Sequence, residues 1–176
     1  AVLARESDWP ATSRDLGNLR LRQGRVAEAV AAYERAIRLD PRFAAAYINL
    51  ADAWRQQERE PEAEKLLRQG LAVMPRDAEL HHALGLVLVR RHENDAALGE
   101  FIEAARLAPD NARYAYIQAI ALHAAGKRTE ALAVLRAANQ RHPDDLDVLG
   151  ALISISREAG DRRAALRYAQ QAAGLL

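Results

Sequence analysis

Residues 25–41 read RVAEAVAAYERAIRLDP, and three later stretches follow the same pattern: REPEAEKLLRQGLAVMP at 59–75, ENDAALGEFIEAARLAP at 93–109 and KRTEALAVLRAANQRHP at 127–143. Each closes on a proline, Pro41, Pro75, Pro109 or Pro143, 34 residues after the one before. A fixed period of this size means stacked supersecondary units. With these prolines at position 32, the blocks run 10–43, 44–77, 78–111, 112–145 and 146–176, and residues 1–9 form an N-terminal extension.

Other landmarks then fall into columns. Position 20 is Ala29, Ala63, Ala97, Ala131 and Ala165; position 27 is Ala36, Gly70, Ala104, Ala138 and Ala172. Position 7 is Leu16, Leu50, Leu84, Gln118 and Leu152, and position 24 is Tyr33, Leu67, Phe101, Leu135 and Ala169. Within a block the small and apolar positions recur three and four residues apart, the spacing of a helix that turns one stripe to a neighbour. Gly24, Gly126 and Gly160 mark a break at position 15 that glycine allows to turn left-handed. Each block therefore predicts two helices and a tight turn, with small residues letting the backbones approach and positions 7 and 24 filling the space between. Proline at position 32 ends the second helix, and Pro61 stands where a first helical turn tolerates it. Glu58 and His92 replace the turn glycine in blocks two and three, which leaves those two turns open. Gln118 in a core column either loosens block four or marks a polar contact.

Composition narrows the function. The 176 residues carry 25 Lys+Arg against 24 Asp+Glu, a formal charge of +1, and no cysteine. That excludes disulfide scaffolds, thiolate nucleophiles and zinc–thiolate sites. Near-neutrality argues against nucleic acid, which needs basic excess gathered on one face. By block the charge is +3, −1, −3, +2 and +1, which would orient a peptide but offers no basic track. No apolar run approaches the ~20 residues of a membrane span, so no membrane partner is expected. No presequence is visible, but a start at Ala1 instead of Met leaves the compartment, cytoplasmic or periplasmic, open.

The repeat resembles the tetratricopeptide repeat, through Leu16-Gly17, Leu84-Gly85, the alanines at position 20 and the prolines at position 32. The resemblance covers residues 10–176. It implies an all-α, right-handed α-solenoid of five helix-turn-helix units, acting as a protein-interaction scaffold. Position 4, commonly aromatic in that family, reads Ser13, Tyr47, His81, Ala115 and Leu149, so the aromatic wedge survives clearly only at Tyr47. Trp9 is expected to cover the first unit. Leu175 and Leu176 leave an apolar end for continuing chain or another molecule, and self-association there is the alternative function.

In tetratricopeptide-like folds the first helices line a concave groove. The resemblance places Arg14, Asn18, Asn49, Asp52, Arg55, His82, Leu86, Val89, Arg90, Arg113, Tyr116, Ile117, Ile120, His123 and Arg157 along it. Its middle, at Leu86, Val89, Tyr116, Ile117 and Ile120, is an apolar patch with arginines around it, the signature of a site for a peptide or helix of a partner protein. Arg14, Asn18 and Asn49 match part of the carboxylate clamp of chaperone-binding members, but Glu79 and Ala83 stand where that clamp needs cations. Helix-to-helix hydrogen bonding is the preferred reading of the two asparagines.

Nothing points to catalysis, a metal or a cofactor. The five histidines show no HExxH spacing, there is no glycine-rich phosphate loop, and the acids, among them Glu60, Glu62 and Glu64, scatter as on a solvated face. The runs at 80–85, 111–116 and 121–123 also resemble the C-terminal repeat region of some bacterial multihaem cytochrome proteins. Without C-x-x-C-H no haem attaches here, and that resemblance implies an accessory module of a larger exported redox protein.

Overall fold

The computed structural model describes residues 9–175, in which ten α-helices and no strand occur. They are α1 (Pro10–Arg22), α2 (Val26–Leu39), α3 (Ala44–Arg55), α4 (Glu60–Val73), α5 (Ala78–Arg90), α6 (Asn94–Leu107), α7 (Ala112–Ala124), α8 (Arg128–Arg141), α9 (Leu146–Glu158) and α10 (Arg162–Ala173). Two compact units divide the chain, one up to Glu93 with α1–α5 and one from Asn94 with α6–α10. The all-α, helix-turn-helix class expected from the period is what the chain adopts.

The break at position 15 is the same in every block. Gly24, Gly126 and Gly160 have φ of 73°, 77° and 78°, and Glu58 and His92, at 58° and 62°, adopt the same left-handed conformation. In each turn the following N–H reaches the carbonyl five residues back, as from Arg59 to Trp54 at 3.0 Å and from Glu93 to Leu88 at 2.9 Å. This bond terminates the helix by satisfying a carbonyl left over at its end. The two substituted turns thus keep the geometry and carry the steric penalty of a side chain in it. Three first helices begin on a cap at position 34, where the carboxylates of Asp77 and Asp145 accept from the N–H of Leu80 and Val148 at 2.9 and 2.8 Å and Asn111 accepts from that of Tyr114 at 3.3 Å.

The small columns sit in the core. Ala29, Ala36 and Ala63 are fully buried in the first unit, as are Ala131 in the second and, nearly so, Ala97, Ala104 and Ala138. Around them pack Tyr33, Leu50 and Leu67 in one unit and Leu135, Leu149 and Leu152 in the other. Each such leucine contributes roughly 1.5–3 kcal/mol by leaving water.

The columns fail at both ends of the described chain. Leu16, expected as core, is 43% exposed, because no described helix precedes α1 to cover that face. Trp9 does not cover the first unit: it is 66% exposed and forms the N-cap of α1. In α10, Ala165, Ala169 and Ala172 are only half-buried and Leu166 is exposed.

Every position-32 proline carbonyl finds a donor, by two routes. The Tyr47 hydroxyl donates to the Pro41 carbonyl at 3.2 Å, and Nε2 of His81 meets the Pro75 carbonyl at 3.1 Å, both from position 4 of the next block. Ala115 and Leu149 at position 4 have nothing to offer. There the second helix reaches back, Arg141 Nη1 donating to the Pro109 carbonyl at 2.9 Å and Gln171 Nε2 to that of Pro143 at 2.7 Å. Where position 4 offers no donor, the second helix of the same block supplies one.

Candidate functional site

In the first unit the asparagines are engaged in holding helices together. The Tyr33 hydroxyl of α2 donates to Asn18 Oδ1 of α1 at 2.7 Å, and Asn49 Nδ2 of α3 donates to the same oxygen at 3.0 Å. Gly17 permits this, since its missing Cβ leaves room for the Tyr33 ring. Burial, reinforced by the charge of Asp52, pushes the Tyr33 phenol above its ordinary value. Arg14 bonds Asp15 through Nη2 at 2.7 Å, and its guanidinium lies 5.5 Å from the centre of the Phe43 ring. The two asparagines therefore meet in a helix-joining network, the reading preferred for them, while Arg14 pairs with Asp15 apart from it.

Further along the same unit, Asp52, Arg55, Gln56 and Arg90 line an open polar cleft of about 320 Å³. Arg55 Nη1 bonds Asp52 Oδ1 at 2.6 Å. Burial raises the Asp52 carboxyl above its ordinary value, and the Arg55 charge and hydrogen bond oppose that shift. Arg55 Nε is buried without a hydrogen-bond partner among the described residues. Arg90 Nε bonds Glu60 Oε1 at 2.7 Å, which holds the Glu60 carboxyl below its ordinary value. Beside the cleft on α5, Val89 is 44% exposed, and Leu86 and His82 are half-buried.

In the second unit the expected residues lie on α7 and α9. Ala115, Ala119 and Leu122 turn one side of α7 into the core and Tyr116 packs against it, while Ile120 is 39% exposed and Ile117 half-exposed on the other side. His123 Nε2 stands 3.0 Å from Glu158 Oε2, an ion pair when the imidazole is protonated, and Arg113 and Arg157 are exposed.

Sequence reasoning missed the acidic partners. Glu60 and Glu64 do not belong to a solvated face: their side chains are only 15% exposed, and Glu64 meets both Arg68 and Arg91, at 2.8 and 2.9 Å. The signal available was separation by nearly one period, as between Glu60 and Arg90, which brings residues of successive units together. Among the described residues no group of three or more His, Asp or Glu side chains is placed to hold a metal ion, and no helix is long and apolar enough to cross a membrane. Leu175 is 46% exposed; Leu176 lies outside the described residues.

Comparison with known proteins bears on this arrangement. A family model described as tetratricopeptide repeat matches residues 14–78 and 82–145. The chain is 35% identical over 95 residues to the cell division cycle protein 27 homolog of Caenorhabditis elegans, covering 54% of this chain but only 12% of that protein. Among solved structures it is similar to MamA (TM-score 0.76, 18% identity, 91% of this chain and 94% of that one). It is similar also to YrrB, described as a TPR protein with an unusual peptide-binding site (TM-score 0.71, 21% identity, 99% and 90%). A third is pilF of Pseudomonas aeruginosa (TM-score 0.79, 19% identity, 98% and 78%). At these identities the structures speak for the fold.

Proposed function

The chain belongs to the tetratricopeptide repeat family, and from that premise we propose that it is a non-catalytic scaffold whose first helices hold a peptide or helix of a partner protein. The fold supports an interaction scaffold in general, and YrrB offers a peptide-binding precedent within it. One observation carries the finer reading: Ile120 and, in part, Ile117 keep an apolar face of α7 in water although the opposite face, with Tyr116 at its edge, is already packed. An exposed apolar stripe on a helix is what a partner's apolar anchors seek. In the first unit, Val89 and Leu86 supply apolar contact. The Asp52, Arg55 and Arg90 cleft supplies polarity that fixes the partner's direction.

Selection from a displayed random-peptide library tests this. Peptides enriched on the full chain should lose at least tenfold in affinity for Ile120→Asp or Leu86→Asp, with helicity unchanged. Failure to enrich any peptide, or affinity in both variants equal to that of the unaltered chain, overturns it.

Self-association is a second reading, favoured by the open face of α10, where Leu166 is 60% exposed, and by Leu175. It predicts a concentration-dependent sedimentation coefficient that Leu166→Glu abolishes.

A further inference from the structure

A cleft of about 260 Å³ opens in the second unit among α6, α7 and α8, lined by Ile102, Pro109, Ala115, Gln118 and Val134, with Arg106 and Arg141 beside them. It is not the exposed face of α7. At 100° per residue, Ala115 and Gln118 point away from Ile117 and Ile120.

The repeat itself indicates what belongs there. Ala115 holds position 4, where the first unit places Tyr47. Tyr47 is 4% exposed, its hydroxyl reaches the Pro41 carbonyl, and its ring lies against Gly70, where an added Cβ would stand 3.2 Å from Tyr47 Cγ. In block four the side chain at position 4 stops at Cβ. Gln118 at position 7, where Leu50, Leu84 and Leu152 are fully or almost fully buried, is only half-buried. The space that a phenol ring fills in one unit is thus open in the other, floored by aliphatic carbon and edged by an amide. Its volume is below the ~300–1,000 Å³ usual for small-molecule pockets, which suits one side chain.

Charge narrows the occupant further. Arg106 is held by Glu103 at 2.5 and 2.8 Å. Arg141 donates to the Pro109 carbonyl and, among the described residues, forms no salt bridge to a carboxylate. A ring entering beside Arg141 is favoured when a carboxylate accompanies it. We propose that this cleft receives an aromatic side chain of a partner protein, tyrosine by the precedent of Tyr47, flanked by an acidic residue that pairs with Arg141.

Titration of the full chain with acetyl-Glu-Tyr-Glu-amide, followed by amide NMR, tests the proposal. Shifts should be confined to residues around Ala115, Gln118, Val134 and Arg141 and be absent with acetyl-Glu-Ala-Glu-amide. Ala115→Tyr should abolish binding by filling the cleft, Arg141→Gln should weaken it several-fold, and Ile120→Asp should leave it unchanged. That last arm separates this site from the exposed face of α7. Should Ala115→Tyr fail to fold, Ala115→Leu serves, with Leu149 as its precedent in the column. No shifts, equal shifts with the alanine peptide, or unchanged binding in the filled variant would overturn the assignment. Tighter binding of free p-cresol than of the tyrosine peptide would overturn the choice of a protein side chain.

Discussion

Gly17 lies so close to the ring of Tyr33 that a Cβ built on it would fall within 2.9 Å of three ring carbons. This approach lets the Tyr33 hydroxyl reach Asn18 and couples α1, α2 and α3 through one oxygen. Gly17→Ala gains helix propensity of about 1 kcal/mol and loses about 1–3 kcal/mol to overpacking. The net expected result is a lower unfolding midpoint in urea. Gly99→Ala in α6 and Gly150→Ala in α9, where a Cβ meets nothing, should instead raise it through a stability gain of about 0.5–1 kcal/mol.

The left-handed turns give the opposite test. Glu58 and His92 hold φ of 58° and 62° that glycine adopts freely, so Glu58→Gly and His92→Gly should each stabilise the chain by about 1 kcal/mol. Gly126→Ala should destabilise it by a similar amount. Thermal denaturation of the three variants checks the sign.

Capping is open to a simple substitution. Asp145→Ala removes the acceptor for the Val148 N–H at the start of α9 and should cost about 1 kcal/mol. Asp145→Asn should retain most of the stability, since the amide oxygen can accept the same bond.

Alkaline pH should report on Tyr33 and Tyr47. Burial raises both phenols, aided by Asp52 for the first and Asp40 for the second. Each folded-state value lies above the unfolded one, so this contribution to stability is complete below about pH 10 and is lost as pH rises through the folded values. Absorbance at the phenolate band should show Tyr33 and Tyr47 ionising late, together with unfolding. Tyr33→Phe should remove one of them.

Acid acts on a different pair. The hydrogen bond from Arg90 holds Glu60 below its ordinary value, so its contribution is present above the usual carboxylate range and is lost as pH falls through the lowered value. Arg90→Gln should flatten that part of the stability profile, and chemical denaturation across the acidic range would reveal it.

Much of this fold is legible in the sequence because the same demand is made five times. Alanine at position 20 recurs since two backbones must approach there in every block. What depends on a neighbour is harder to read. Leu16 looks like Leu50 in the alignment of blocks, but its exposure is decided by a helix that no described residue supplies. Glu60 and Glu64 look like solvated acids because their partners, Arg90 and Arg91, belong to the next block, and their distance depends on how units stack. The Asn18 network was legible as the preferred of two readings, because the same amide can bind a ligand or a helix.

The two routes by which the proline carbonyls are met limit how this array could be rearranged. A block transplanted beside a new neighbour brings both its own position 4 and its second helix, and with them whichever donor it holds for the proline carbonyl of the block before. Cutting block four short of Arg141, or grafting Ala115 into a block whose second helix ends on Val73, would leave that carbonyl without a protein donor. Exchange of units in this lineage, and any effort to build longer arrays from its parts, must therefore treat donor and vacancy as a linked pair inherited together.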